Sequence, residues 1–373
     1  MTGVSDGRCA TRLSMAGLPL TRPLRWAAGL LVGVLLAACG AESDALPEVG
    51  ARLDETTVSG ISSGAYMAGQ FQMAHASIVV GAGIIAGGPY GCAESLFADV
   101  MPGPGTVFLN ASKAINGCMR DGLRILDIPN PENLARRAQS LAENGRIDPV
   151  AEVRDDRVYL FSGTRDSVVV PSIVAAAEAY YLALGVRAEA ISHVSELPAG
   201  HGFVTTDFGE ACAYTGAPYV VDCDYDMAAA MLGHLLGPLE PPGTAKNAEF
   251  RVFDQRPFTR GLTGHGLASE GVVYVPGSCR AAPGCRVHIA FHGCAQSREM
   301  VGDAFVAGSG LWKWADTNRL VVLFPQVGTS PLNPQGCWDW WGYSSRAYLT
   351  QAAPQITAVR RMLDRLAGGR EAS

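Results

Sequence analysis

The spacing of apolar residues changes several times between residues 56 and 366, and each change marks an element. Ile78 to Ile85 is an unbroken apolar run rich in Val and Ile, closed by Gly87-Gly88-Pro89. A strand covered on both faces reads this way. Thr56 to Gly60 before it is a short strand. From Gly64 to about Ala76, Tyr66, Met67, Phe71, Met73 and Ala74 recur at helical spacing. Residues 92–130 are Gly/Pro-rich and read as irregular. Asn133 to Asn144 is an amphipathic helix, with Asn130 or Asn133 as cap and Gly145 as stop. Arg157 to Gly163 is a strand, Pro171 to Leu184 a helix stopped by Gly185, and Ala188 to Val194 a strand leading into Pro198-Ala199-Gly200-His201-Gly202. This alternation predicts a parallel sheet with helices on both faces. Residues 203–247 read as an inserted, cap-like segment with a short helix, Met227 to Leu236. Phe250–Phe253, Gly271–Val275, Arg286–Phe291 and Leu320–Pro325 are further strands, the first two suited to an antiparallel edge. Gln351 to Leu366 is a last helix, with Ile356, Val359, Met362, Leu363 and Leu366 on one face.

Residues 1–39 stand outside this pattern. Arg22 and Arg25 flank a short apolar run from Trp26 to Leu36, too short to span a bilayer and consistent with a secretory signal. It ends in Leu36-Ala37-Ala38-Cys39, which resembles a bacterial lipobox with Cys39 as the lipid-bearing first residue; a plain cleavage site with an incidental Cys is the alternative. Met15 is an alternative start. The expected organisation is a signal peptide over 1–39, a short tether over 40–53 and one catalytic domain over 54–369. The expected location is periplasmic or cell-surface, or else extracellular, with the membrane touched only through the anchor.

The chain is 48% hydrophobic and 17% charged, a globular composition. Its formal net charge is -6 and no Lys/Arg tract occurs, so nothing favours nucleic acid as a partner. Setting aside Cys9 and Cys39, an even set of cysteines remains, with no C-x-x-C spacing. Disulfides in an oxidising compartment fit better than a metal site. The pairing is not fixed by sequence. Cys212–Cys223 and Cys279–Cys285 are natural short-loop pairs, and Cys92–Cys118 and Cys294–Cys337 would then remain.

The candidate chemistry starts at Gly60-Ile61-Ser62-Ser63-Gly64, a Gly-x-Ser-x-Gly between a strand and a helix. A serine nucleophile on a strained strand-to-helix turn needs small residues two places to either side. A serine nucleophile also needs a base, and the base a carboxylate. Asp166 follows the strand that ends near Phe161, with Asp155, Asp156 and Asp207 as rivals. His201 follows the strand ending at Val194, between two glycines. The order Ser62, Asp166, His201 is that of the α/β-hydrolases. Among the other histidines, His75 lies in a helix, His193 and His288 in strands, His234 in the insertion's helix and His265 in a Gly-rich loop. An oxyanion hole takes one amide from the residue after the nucleophile, Ser63, and another from a His-Gly loop after an earlier strand. That loop is visible as His292-Gly293-Cys294, but it follows His201 instead of preceding Ser62. The strands that normally precede the elbow have moved to the C-terminal side, so the chain reads as a circularly permuted α/β-hydrolase, a single catalytic domain.

With these residues placed, the chain resembles the extracellular poly(3-hydroxybutyrate) depolymerases that have a permuted catalytic domain. The matching stretches are GISSGAYMAGQ, AGGPYGCA, FSGTRDSVVVP, PAGHGF, AFHGCAQSREMVGDAFV, LFPQ and GCWDWWGY. The resemblance implies Ser62, Asp166 and His201 as the triad, and the amides of Ser63 and Cys294 as the oxyanion hole. It also implies polymer contact by an exposed ring among Trp338, Trp340 and Trp341, with Tyr66 and His292 added to the expected substrate-binding set. No metal and no organic cofactor is implied. The expected partner is a polyester or oligoester met by a monomer. Members of this family often carry a linker and a separate polymer-binding domain; a chain stopping at Ser373 points toward oligomers or amorphous polymer. A feruloyl- or acetyl-type esterase shares the elbow and is the alternative, and a non-catalytic polymer-binding lipoprotein is a third reading.

Overall fold

In the computed structural model, residues 44–95, 104–244 and 250–368 are described. The expected signal peptide and lipobox lie outside them. The first half of the chain gives β1 (Thr56–Ile61), α1 (Ser63–Ala74), β2 (Val79–Ile85), α2 (Pro104–Gly117), α3 (Pro131–Glu143), β3 (Arg157–Phe161), α4 (Pro171–Leu184) and β4 (Ile191–Val194). The inserted segment forms β5 (Phe203–Thr205), β6 (Glu210–Ala211), β7 (Val220–Asp222) and α5 (Met227–Leu236). Then come β8 (Phe250–Asp254), β9 (Glu270–Tyr274), α6 (Gly277–Ala281), β10 (Arg286–Phe291), α7 (Arg298–Val301), α8 (Ala304–Gly308), α9 (Leu311–Thr317), β11 (Leu320–Phe324) and α10 (Pro354–Ala367).

Eight strands make the main sheet, in the order β4-β3-β2-β1-β10-β11-β9-β8. Only β9 runs antiparallel to its neighbours β8 and β11. Numbered from β8 and continued past the end into β1, the sheet reads first, second, fourth, third, fifth, sixth, seventh, eighth. That is the α/β-hydrolase order, cut open before the elbow strand, as the sequence predicts. The central strands are apolar on both faces because helices cover both. On one side α1 lies over β1 and β2, and α4 is tied to it by Tyr181 Oη donating to Gln72 Oε1 at 2.7 Å. On the other, α5 rests on β2, where glycines make room: a Cβ on Gly83 would stand 2.4 Å from Met231 Sδ. The helix expected within a cap is therefore a structural layer, and only the short sheet β5-β7-β6 of the insertion sits apart.

Residues 44–53, expected as a tether, pack on the domain instead. Leu46 and Val49 are buried. Asp44 bridges Phe253 on the edge strand β8. Val49 N and Ala51 N donate to Leu366 O at 3.1 and 3.0 Å. Leu46, Val49 and Ala51 give this strip apolar side chains to bury, and at Asp44 it bonds the edge strand β8. The region expected to be irregular contains the 14-residue helix α2. Its Phe108 and Ile115 point outward, so no single apolar stripe announces it. Among the described residues, four disulfides close the loops: Cys92–Cys118, Cys212–Cys223, Cys279–Cys285 and Cys294–Cys337.

Candidate active site

Strand register builds the site. Ile61 pairs with Ile85, Ile85 with Phe161 and Phe161 with Val194, so four parallel strands end on one row. β10 ends beside them, with Phe291 opposite Gly60. Ser62 comes one residue past that row, Asp166 five past Phe161, His201 seven past Val194 and Gly293 two past Phe291. In open α/β sheets this carboxyl edge is where ligands bind.

Ser62 sits at φ 58, ψ -122, a strained conformation that puts its side chain on top of the turn. Its N–H donates to Ile85 O at 2.9 Å, and its carbonyl starts α1 by accepting from Ala65 N. The elbow glycines are required sterically. A Cβ on Gly60 would fall 2.2 Å from Gly64 O, and one on Gly64 would fall 2.3 Å from Phe291 O. His201 Nδ1 and Asp166 Oδ2 are 2.7 Å apart. The other carboxylate oxygen, Oδ1, accepts from Val168 N and Val169 N at 2.8 and 2.9 Å, which fixes the carboxyl plane. Asp166 N and Arg165 N close the acid turn onto Gly163 O and Ala199 O, so acid and base loops pack on each other. Ser62, Asp166 and His201 are 8, 5 and 4% exposed, a shielded setting in which charge interactions strengthen. No hydrogen bond joins Ser62 Oγ to His201 Nε2 in this structure, a contact that often tightens only when a reacting group is bound.

The rivals lie elsewhere. Asp156 is buried against Gln72, which donates to its Oδ2 at 2.7 Å, and burial pushes its carboxyl up to about 8. Asp207 pairs with Lys313 on the surface, and Asp155 is exposed. His193 bonds Glu178 and Ser162, His234 contacts Ala190 O, and His265 accepts from Leu267 N. His75 is buried and pushed down to about 4 by burial. His288, inside the sheet, bonds Thr57 Oγ1 and Ser59 Oγ at 2.8 Å each, bracing the elbow strand. Burial pushes it down to about 3, so it is neutral.

The His-Gly loop meets the elbow. A Cβ on Gly293 would stand 3.4 Å from Ser62 Cβ. Val327 N donates to His292 Nε2 at 3.1 Å, leaving Nδ1 to donate to Gly293 O at 2.7 Å. His292 is fully buried and neutral, pushed down to about 4, so it shapes the loop and presents no exposed surface, unlike the substrate-facing position expected for it. Gly293 N donates to Gln296 Oε1. Cys294 is joined to Cys337, which fastens the loop to the Trp segment. Among the described residues, the Ser63 and Cys294 amides have no protein acceptor, and Ser63 N lies at the first turn of α1, where the helix dipole favours negative charge.

The aromatic set divides. Trp338 has no exposed surface, packs edge-on against Phe291 at 4.9 Å between ring centres, and belongs to the core, not to a binding surface. Tyr66 stacks on Trp340 at 4.1 Å and 8°, and its hydroxyl donates to Cys118 O, so it too is a buried support. Trp340 retains 6% exposure. Trp341, half-buried, meets it edge-on at 5.8 Å and is the ring of the cluster best placed at the surface. Asp339, unremarked in the sequence reading, organises this turn: it accepts from the amides of Gly342, Tyr343 and Ser344 and from Ser344 Oγ. An Asp followed by Gly and Ser within a Trp-rich loop is the signal that would have found it.

A permuted α/β sheet carrying a serine elbow and a paired Asp–His on the adjoining loops defines the serine-hydrolase class of the α/β-hydrolase fold. No family model matches the chain. It is 38% identical over 346 residues to a poly(3-hydroxybutyrate) depolymerase of Delftia acidovorans, covering 90% of this chain and 65% of the relative's length. It is 31% identical over 333 residues to a polyhydroxybutyrate depolymerase of Talaromyces funiculosus, covering 84% of this chain and 90% of that protein. The chain belongs to the poly(3-hydroxybutyrate) depolymerase family. Two solved structures agree. A PHB depolymerase from Penicillium funiculosum aligns with a TM-score of 0.76 at 28% identity, covering 87% of this chain and 98% of that one. A serine-to-alanine PHB depolymerase complexed with R3HB trimer aligns with a TM-score of 0.75 at 28% identity and the same coverage.

Proposed function

We propose that the protein hydrolyses the ester bonds of poly(3-hydroxybutyrate) or its oligomers, with Ser62 as nucleophile, His201 as base and Asp166 as its orienting carboxylate. The observation that carries this reading is the 2.7 Å contact of His201 Nδ1 with an Asp166 whose second oxygen is fixed by two amides, on loops leaving the same strand row as the Ser62 elbow. In this reading the imidazole proton sits on Nδ1, donated to Asp166, and Nε2 is the basic nitrogen. Ser62 Oγ attacks the ester carbonyl carbon and its proton passes to Nε2. The carbonyl oxygen, now negative, is held by the Ser63 and Cys294 amides. Collapse breaks the bond to the leaving hydroxyacyl oxygen, which takes the proton from His201. Water, deprotonated by Nε2, then attacks the acyl-enzyme and frees the acid and Ser62.

Trp341 and the exposed edge of Trp340 are the rings proposed to contact the polyester. Cys39 is proposed as a lipid attachment point on an exported monomer; the four disulfides suit an oxidising compartment. Incorporation of labelled palmitate that survives Cys39→Ser would refute the anchor. For the activity, hydroxybutyrate trimer and a fluorophosphonate probe are given to the native protein and to Ser62→Ala. Hydrolysis and labelling by the native protein, both lost in the variant, are expected. Hydrolysis retained by Ser62→Ala would refute the assignment.

A further inference from the structure

The oxyanion loop and the base are far apart along the chain, and one buried side chain touches both neighbourhoods. Gln296 is 1% exposed. Its Oε1 accepts from Gly293 N at 2.7 Å, and its Nε2 donates to Tyr219 O at 2.8 Å and Pro218 O at 3.2 Å. The carboxamide orientation follows from these partners. A flipped amide would face an N–H with its own NH2 and two carbonyls with its own oxygen. Both ends act near the chemistry. Gly293 lies against Ser62, and the ring of Tyr219 stands edge-on to the His201 ring with 6.2 Å between centres. Unusual backbone adjoins the bridge on both sides: Tyr219, whose carbonyl Gln296 holds, has φ 58, and Ala295, the residue before Gln296, has φ 54. Such conformations persist only where surrounding contacts hold them.

We propose that Gln296 is the positioning residue that couples the oxyanion loop to the base. By taking the Gly293 N–H it occupies that amide, while Ala295 N is taken by Gln335 O, and Cys294 N is left without a protein acceptor among the described residues. By holding Tyr219 O it keeps the Tyr219 ring against His201. Neither effect requires Gln296 to touch substrate. Its loss therefore weakens stabilisation of the negative oxygen and alignment of the base, while ground-state binding stays. This inference rests on the esterase reading above.

The test uses Gln296→Met, near in volume but without the hydrogen bonds, and Gln296→Glu, which can still accept from Gly293 but, when ionised, cannot donate to Tyr219. Turnover of a soluble ester, p-nitrophenyl butyrate, and inhibition by butylboronic acid, a mimic of the tetrahedral state, are measured beside thermal unfolding. For folded variants kcat is expected to fall about tenfold or more while KM stays within about threefold, since misplacement of this kind acts on the transition state. Boronate affinity should fall in parallel with kcat. A kcat within about twofold of the native value, or a raised KM at unchanged kcat, overturns the proposal. If neither variant folds, Tyr219→Leu tests the same brace from its half-buried end, with the same kcat loss expected and unchanged kcat overturning it. A native protein with no turnover and no labelling of Ser62 would instead sink the esterase reading, and this proposal with it.

Discussion

Two glycines in one helix should respond in opposite ways to the same methyl group. Gly64 and Gly69 both lie in α1, at buried positions. A Cβ on Gly69 would meet Ile84 Cδ1 at 3.8 Å and Tyr181 Oη at 3.9 Å, ordinary van der Waals contact. Gly69→Ala therefore gains helix propensity of about 1 kcal/mol and a little apolar burial, with no collision. A Cβ on Gly64 would lie 2.3 Å from Phe291 O and 2.4 Å from His292 O. Those carbonyls belong to the last residue of β10 and the first of the loop after it, so relief requires helix and loop to separate by about 1 Å, at a cost of about 3 kcal/mol. That movement also parts the two amides, Ser63 N and Cys294 N, that are proposed to hold the oxyanion.

Thermal unfolding at fixed scan rate and turnover of a soluble ester read both consequences. With an unfolding entropy of about 2 cal/mol/K per residue, Gly69→Ala should raise Tm by about 2 °C and leave kcat unchanged. Gly64→Ala should lower Tm by about 4 °C or more and lower kcat by about a hundredfold. A Gly64→Ala protein of native Tm and native kcat would refute the reasoning. So would a Gly69→Ala protein that unfolds at lower temperature than the native chain.

The remaining predictions concern the site and one buried acid. Asp166→Asn keeps the shape of the carboxylate but favours the wrong imidazole tautomer, so kcat should fall about a thousandfold or more at native Tm; near-native kcat would assign the carboxylate elsewhere. Replacing Cys294 and Cys337 together by Ser opens a loop of sequence separation 43, and urea unfolding should show a loss of up to about 4 kcal/mol, with kcat falling as the oxyanion loop loosens. Unchanged kcat would show that the hydrogen bonds of the loop suffice alone. Asp156 has its carboxyl raised from 3.8 to about 8 by burial, so the folded state holds a proton that the unfolded state releases. Its contribution is full below about pH 4 and is lost as pH rises through about 8, at a slope of up to about 1.4 kcal/mol per pH unit. Asp156→Asn should flatten urea-measured stability between pH 5 and 8 and be more stable than the native chain above pH 8; parallel pH curves would refute this.

Much of the site was legible because each candidate residue follows a strand whose pattern is unmistakable. Val79–Ile85, Arg157–Phe161 and Arg286–Phe291 are apolar runs bounded by turn residues, so Asp166 and the His292-Gly293-Cys294 loop could be assigned to strand ends. Distinctions made by tertiary packing were not legible. Trp338, Trp340 and Trp341 lie in a loop, where neither helical nor strand period says which ring faces inward. The answer depends on Phe291 and Tyr66, remote in sequence from both. Gln296 and Asp339 were missed for the same reason. A buried amide or carboxylate is satisfied by backbone groups, Gly293 and Tyr219 in one case and Gly342 to Ser344 in the other, and backbone groups carry no side-chain signal.

The permutation itself has a physical cost that falls on the site. In the ordinary order the oxyanion strand precedes the elbow strand closely. Here Thr57 and His288, hydrogen-bonded neighbours in β1 and β10, are 231 residues apart. The sheet pairings of β1 on both sides are all kept, so stability need not suffer, because loop-closure entropy grows only slowly with length. Residues 44–53 supply part of what the lost connection gave. By bonding Leu366 at the end of α10 they pin the start of the domain where that helix would otherwise have led on into β1. What changes is the order of assembly. β1 to β4 can pair with one another early, carrying Ser62, Asp166 and His201 among them, yet Cys294 N cannot join Ser63 N until β10 docks against β1. The proposed acid, base and nucleophile are local to the first half of the domain, whereas the proposed stabilisation of the developing charge depends on the second.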